Sequence, residues 1–534
     1  MGAVTLPLEN AAIQVTFTPK SSEFAISVET VPPKYLDMTQ PGEMLDYIDA
    51  CLVAGGAPLY QSGGSIVHPV RIDRASDFSD EAIRRREGAL LLDRVTTKRM
   101  VEYIAASTNF IRWDGRKRRD VLARIPLELA SAYLERRDRW NLRVLDGIVE
   151  CPVLRADGSV LAQGGYDEVS RLFVDLGGVK YPDIPREPTK EDALAALAFL
   201  KEPFREFPFV PDDPDEPQRS ASRSVALAFV LTAVCRRMLP SAPIFGFSAP
   251  TKGSGKTLAV DVASIITTGR DGAYVTKGSS EDEDEKRLSA MLRSGDQMVV
   301  IDNSRRPIKG DALCIALTAP TWKARLLGEN ETVVLKTNVL FAATGNGLIF
   351  QGDVTRRALL CRLDAGVENP ETRRFERTNL KEWIREHRAE LTAAALTVLR
   401  AYRVSGERAE PRAFGGFDAW NDTVAGALVW LGEPDPNITR EQIRQNDPDR
   451  GVETELFQAL HKNFGEEWVR PNAAYLKLNS TFGGAAVLRN ANVSSGKSLG
   501  WRLKGLEGKI SDGFRLHARW DSGNKANVYR LVAL

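Results

Sequence analysis

The chain has 534 residues, 43% of them hydrophobic and 27% charged, and its formal net charge is +1. That length is too great for one ordinary core and implies three or four domains at roughly 150 residues each. Nothing in this composition and charge marks the whole chain as disordered or as coating nucleic acid with its whole surface, so any DNA-binding surface must be local. The five cysteines, Cys51, Cys151, Cys235, Cys314 and Cys361, form no C-x-x-C pair and the four histidines do not cluster near them, which argues against a disulfide scaffold or a structural zinc. Residues 1–17 lack a basic start followed by an apolar core. The longest apolar run, 225–235, is well short of the ~20 residues a membrane helix needs. The expectation is a soluble cytoplasmic protein without a membrane segment.

In chain order, residues 80–108 and 126–140 have helical spacing with a charged face, and residues 141–175 change to short strands with Asp157-Gly158 as a hairpin turn. Two Pro-rich or acidic stretches follow, 181–192 and 204–217, where closely spaced prolines forbid regular structure. The first is taken as the main boundary, ending an N-terminal α+β domain of residues 1–185. Residues 193–200 read as a short helix, and 221–238 as a buried helix leading into the next unit. From Pro243, short apolar runs at 244–247, 273–276, 298–301, 339–344 and 358–363 alternate with helical segments, the pattern of a parallel sheet in an α/β core spanning 190–405. Helical stretches after Trp383 include a lid at 406–440. A polar segment, 432–449, then sets apart a C-terminal domain at 450–534.

The core carries a phosphate-binding pattern. The apolar run IFGF leads into SAPTKGSGKT and then into a helix, so the N–H groups of Gly253, Ser254, Gly255, Lys256, Thr257 and Leu258 can form a concave anion site. Lys256 can reach the β/γ-phosphates of ATP and the Thr257 hydroxyl can ligate Mg²⁺. Pro250 stands where the P-loop pattern wants its first glycine. Some 45 residues on, QMVVIDN is an apolar strand ending in Asp302, a second candidate Mg²⁺ ligand.

Asn303 cannot take the proton of an attacking water, so another acid is sought in the run SSEDEDE. Glu283, then Glu281, is the candidate; a solvated acidic helix start favoured by the helix dipole explains the same run equally well. The strand VLFAATGNG ends in Asn346, whose carboxamide can orient the water or a γ-phosphate oxygen, or which can simply form a turn before glycine. In GDVTRR, Arg356 and Arg357 stand directly before the next strand, where arginines can act in trans on a neighbouring subunit's nucleotide.

With SAPTKGSGKT, SSEDEDEKRLSAML, VVIDN, LTAPTWKARLLGENETVVLKTNVLFAATGN and GDVTRRALLCRLDAGVENPETRRF in this order, the chain resembles the superfamily 3 branch of AAA+ ATPases. More narrowly it resembles the replicative helicases and primase-associated ATPases of phages, plasmids and integrated mobile elements, over roughly residues 226–431. It departs at Pro250 and at Ser304-Arg305-Arg306, where a smaller, more apolar turn is expected. The resemblance implies an ATP- and Mg²⁺-dependent hexamer threading one DNA strand. It also implies that the segment before the Asn346 strand is a β-hairpin in the central channel. Residues 322–336 suit this, with Gly328 to Asn330 as the turn and Lys323, Arg325 and Lys336 as phosphate-seeking charge.

Residues 470–534 hold eleven Lys/Arg against three Asp/Glu, a local excess of +8. A helix at 497–506, a strand at 514–520, a turn at 521–525 and a strand at 527–534 give a winged-helix-like pattern. Arg502 and Lys504 lie on its recognition helix, and Arg519 and Lys525 on its wing, as duplex contacts. The leading expectation is therefore an ATP-driven, ring-forming DNA helicase for a mobile element's replication. A DNA packaging or remodelling ATPase, or an origin-binding initiator using ATP only as an assembly switch, are the alternatives.

Overall fold

The computed structural model describes residues 31–72, 83–325, 332–523 and 525–534. Its centre is a six-stranded sheet in which the strands 244–249, 298–302, 340–346 and 358–362 are buried along most of their length, as parallel strands covered by helices on both faces require. Helix α1 (Ala221–Cys235) leads into β1 (Ile244–Ala249), α2 (Lys256–Thr268), β2 (Tyr274–Thr276), α3 (Glu281–Arg293), β3 (Met298–Asp302) and α4 (Asp311–Thr318). A hairpin of β4 (Thr321–Arg325) and β5 (Thr332–Lys336) comes next, then β6 (Leu340–Asn346) and β7 (Ala358–Arg362). The order across the sheet is β7-β1-β6-β3-β2, all parallel. The chain leaves β1 towards β2 on one side and returns to β7 on the other, so β1 lies at a topological switch point, where open α/β sheets bind ligands beyond their carboxyl ends.

A sixth strand, Ile83–Arg84, closes the β2 edge antiparallel. It is fixed by Arg85, whose guanidinium grips Asp296 at 2.7 Å with both side chains 5% exposed. The upstream part has its own core around Ile48, Leu52, Met100, Ile104 and Tyr133. Val149, Val153, Leu154, Leu161, Leu172 and Val174, however, pack into the same core as the large sheet. The Asp157-Gly158 turn joins Val153–Leu154 to Val160–Leu161 in an antiparallel pair, as its sequence suggests.

Two sequence expectations give way. Among the described residues of 80–108, only Thr97–Ser107 is helical; Ile83–Arg84 and Leu90–Arg94 are strands, because the continuous run Leu90-Leu91-Leu92 is buried by pairing with Ser65–Arg71. The 432–449 segment is not an open linker. Beyond α5 (Arg388–Ser405), it contains helix α6 (Thr439–Gln445), which buries Ile443, and Thr439 accepts a hydrogen bond from the Leu360 N–H of β7 at 3.2 Å.

The C-terminal residues form α7 (Pro448–Phe464), α8 (Pro471–Ser480), α9 (Gly484–Asn490), α10 (Gly496–Gly505) and the hairpin β8 (Phe514–Asp521) with β9 (Ala526–Ala533). Val469 bridges to Tyr529 on the free edge of β9. A separate core of Leu456, Phe457, Leu478, Leu499, Leu503 and Leu516 holds the unit together. Among the described residues, no helix is long and apolar enough to cross a membrane.

Candidate functional site

The P-loop candidates sit where β1 ends and α2 begins. Gly253 and Gly255 have φ of 76° and 93°, left-handed values that bend the chain around a concave face. The first N–H groups of α2, from Lys256 through Leu258, have no carbonyl to meet within the helix and point out of its N-terminus. Lys256 folds over this loop and donates to the Thr251 carbonyl at 2.9 Å. Burial pulls the Lys256 ammonium below its usual range, opposed by the nearby charge of Asp302. Both groups stand at the carboxyl edge of the sheet, beyond strands that flank β6 on its two sides. Thr257 is exposed at the first turn of α2 and Ser254 is buried, bonding the Thr251 carbonyl at 3.0 Å.

Asp302 ends β3 and is held by a residue that the sequence does not single out. The Thr344 hydroxyl of β6 donates to Asp302 Oδ1 at 2.7 Å and accepts from the Asn303 N–H at 2.8 Å. Asn303 has a φ of 48°. Thr344 is legible only through register: β6 pairs β3 with Ala343 opposite Ile301, which sets Thr344 level with Asp302. On its other side β6 pairs β1 with Asn346 opposite Ala249, and the Gly347 N–H reaches the Ala249 carbonyl at 3.1 Å. Asn346 is exposed at the carboxyl edge beside the P-loop.

The acidic run lies farther off. β2, which leads into it, is separated from β1 by β6 and β3, three spacings or about 14 Å. Glu283 is engaged at its own helix start. It accepts from the Ser279 N–H at 2.5 Å and hydroxyl at 2.8 Å, and from Arg287. The Ser279 N–H bond holds its carboxyl below the usual range. Glu281 pairs with Lys309 at 3.2 Å. Arg306 donates to the carbonyls of Gly278 and Ser279, which gives the unexpected basic turn after Asp302 a local task.

The segment 204–217, whose prolines read as a mere interruption, forms part of the site. A Cβ at Gly255 would stand 3.3 Å from the Phe207 ring, and one at Gly253 would stand 2.8 Å from Glu371 Oε2. Phe207 and Glu371 therefore roof the loop. Their segments are joined by Glu206, which accepts from the N–H groups of Glu376 and Arg377.

Arg356 and Arg357 part company. Both reach Asp353, but Arg356 is 64% exposed and Arg357 13%. The Arg356 guanidinium, although it bonds Asp353, is the more accessible of the two to another molecule.

The hairpin buries Trp322, Ala324, Val333 and Leu335 and turns Lys323, Val334 and Lys336 outward. Lys323 pairs with Val334 and Thr321 with Lys336, so the two lysines share a face. Lys336 also meets Asp146 at 3.2 Å. The Arg325 side chain and the turn at Gly328 to Asn330 lie outside the described residues. At the hairpin's base, buried Arg236 donates to the carbonyls of Thr337, Val339 and Leu239 at 2.8–2.9 Å, and burial pulls its guanidinium down. Arg237 grips Asn338 through its carbonyl at 3.2 Å and Oδ1 at 2.8 Å. These arginines, which close α1, clamp the joint between hairpin and β6.

In the C-terminal unit Lys504 is exposed on α10, whereas Arg502 is half-buried. Arg519 stacks on Trp468 at 4.3 Å, with Arg530 over the same ring at 4.8 Å. Lys525 is exposed in the turn of the β8-β9 hairpin.

No family model matches the chain, and no curated protein matches it. Among solved structures, the apo A form of the NrS-1 C-terminal region is similar at 12% identity, covering 91% of this chain and 99% of that one, with a TM-score of 0.37. A structure described as SCCmec type IV Cch, active helicase, is similar at 11% identity over 89% and 97%, with a TM-score of 0.32. An inhibitor-bound JCV helicase is 13% identical over 51% and 72%, with a TM-score of 0.19.

Proposed function

We propose that this chain is an ATP hydrolase with an AAA+-type core that works as a ring-forming DNA helicase. The observation that carries the proposal is the position of β6 between β1, which leads into the Lys256 loop, and β3, which ends in Asp302, with Asn346 opposite Ala249 and Thr344 bonded to Asp302. This arrangement supports phosphate binding, metal binding and water orientation at one sheet edge. The residues fit ATP and Mg²⁺ on the glycine-bent loop at one end of β1 and on the Asp302 carboxylate held by Thr344 two strands away. The N–H groups from Gly253 to Leu258, with Lys256, would hold the phosphates. Thr257 and Asp302 would hold Mg²⁺, which supplies neutralisation of the charge that builds on the transferred phosphoryl group. Thr344 keeps the Asp302 carboxylate aimed, and Asn346 is placed to orient a water. Glu283 would have to leave Ser279 and Arg287 before accepting its proton. Arg356, exposed, suits action on a neighbouring subunit's nucleotide in a ring, and Arg357 braces Asp353 beside it.

The helicase step adds the hairpin. Lys323 and Lys336 face outward on a hairpin whose second strand leads through residues 337–339 into β6, and Arg236 and Arg237 stiffen that joint, so a strand held by the lysines would be coupled to Asn346 through the clamped connection. The C-terminal unit, helix-rich with a terminal hairpin, suits a winged-helix-like DNA contact. A replicative role for a mobile element follows from the sequence resemblance alone. The testing experiment is ATP turnover with and without single-stranded DNA: stimulation by DNA supports the proposal, and no turnover with Mg²⁺ in either condition refutes it.

A further inference from the structure

We infer that the outward face of α10 is a stacking platform for an unpaired nucleobase, with Trp501 as the platform and Lys497 and Lys504 as its phosphate contacts. The inference rests on the C-terminal unit being a nucleic-acid contact and specifies single-stranded nucleic acid as its ligand. At 100° per residue, Lys497, Trp501 and Lys504 fall within about 60° of one another around the helix. Gly496, Leu499 and Leu503, all buried, occupy the opposite side. Trp501 is 70% exposed while Leu499 and Leu503 are fully buried, so the helix has its core elsewhere and turns its largest side chain to solvent. Exposure of an indole alone would identify no ligand. Here a lysine stands about one helical turn away on each side, in a segment whose excess charge is +8. An anionic ligand with a flat apolar face matches that combination, and a nucleic-acid strand has both.

The choice of an unpaired strand follows from the chemistry of the face. A helix that reads a duplex groove uses side chains with paired donors and acceptors for base edges. An indole has one donor and a broad ring, suited to the exposed π-face of a base, which duplex stacking hides. The neighbouring hairpin offers a second ring. Tyr529 of β9 donates to the carbonyl of Gly500, the residue before Trp501, at 3.4 Å. Tyr529 pairs with Ala518, and one step along the same hairpin face is Trp520, 62% exposed. On the hairpin's other face Arg519 and Arg530 lie over Trp468.

The test uses the full chain without nucleotide, so ATP chemistry does not enter the readout. Fluorescence anisotropy measures binding to labelled oligo(dT) and to an abasic strand of the same length, for wild type, Trp501→Ala and Trp501→Phe, with folding checked by circular dichroism. Trp501→Ala should weaken oligo(dT) binding by about tenfold or more and leave abasic-strand binding unchanged, and Trp501→Phe should retain most of the affinity. Photocrosslinking with a 5-iodouracil strand should recover a peptide containing Trp501. Wild-type oligo(dT) affinity in Trp501→Ala, an equal loss on both strands, or crosslinks only elsewhere would overturn the inference. So would a shift of Trp501→Ala towards monomers without DNA, which would make the face an interface between copies.

Discussion

Replacing Thr344 by Val removes one oxygen and nearly no volume at a position that is 1% exposed. That oxygen donates to Asp302 Oδ1 at 2.7 Å, and a hydrogen bond to a charged acceptor contributes about 1.5–3 kcal/mol. The Asn303 N–H loses its acceptor as well, a further loss that the hydroxyl of Thr344→Ser would also restore. If the aimed carboxylate matters chiefly in the transition state, kcat should fall by about 10- to 100-fold. The Mg²⁺ concentration for half-maximal rate should rise, because Asp302 would no longer be held towards the metal. Binding of a fluorescent ATP analogue in EDTA should not change, since the P-loop is untouched. Thr344→Ser, which restores the hydroxyl, should recover most of the rate. The assay is steady-state ATP hydrolysis across a Mg²⁺ titration. A Thr344→Val protein with wild-type kcat and wild-type Mg²⁺ dependence would refute the role given to this contact.

Lys256→Ala should lower ATP turnover at least ~100-fold, measured in the same assay; near-normal hydrolysis would remove the lysine from the site. Arg85→Ala leaves Asp296 buried and without its bidentate partner, so it should cost about 3 kcal/mol in chemical denaturation, and a loss under ~1 kcal/mol would mean the edge strand is held by other contacts. Arg356→Ala subunits mixed with Lys256→Ala subunits should partly regain hydrolysis, since some interfaces would pair an intact loop with an intact arginine. No recovery in mixed rings verified by native mass spectrometry would count against action in trans. Lys323→Ala with Lys336→Ala should abolish DNA-stimulated hydrolysis while duplex affinity and its salt dependence stay close to wild type; unchanged stimulation would free the hairpin of its channel role.

The parallel strands were legible because burial on both faces leaves uninterrupted apolar runs, and IFGF, MVVID and LFAAT each became a strand of the sheet. The P-loop was legible because its residues are contiguous. What the chain order conceals is whatever depends on register or on a distant segment. Thr344 looks like any β-branched residue within a strand until β6 is set against β3. Phe207 and Glu371 lie 164 positions apart and meet only over the glycines that they roof. The charged spacing around Glu87 imitates a helix, whereas burial of Leu90 to Leu92 by cross-strand pairing decides the conformation. In α10, attention to charge picked out Arg502, which is half-buried, and passed over Trp501, which is not.

Strand separation is the property that divides a helicase from a packaging ATPase or an ATP-switched initiator, since all three would share the Lys256 and Asp302 chemistry. The direct measurement is a time course of ATP-driven unwinding on forked DNA with 5′ and 3′ tails, run with wild type and Lys256→Ala. The proposal predicts release of the displaced strand by wild type with Mg²⁺ and ATP, and none by Lys256→Ala. Robust DNA-stimulated hydrolysis by wild type with no strand release from any fork would contradict it.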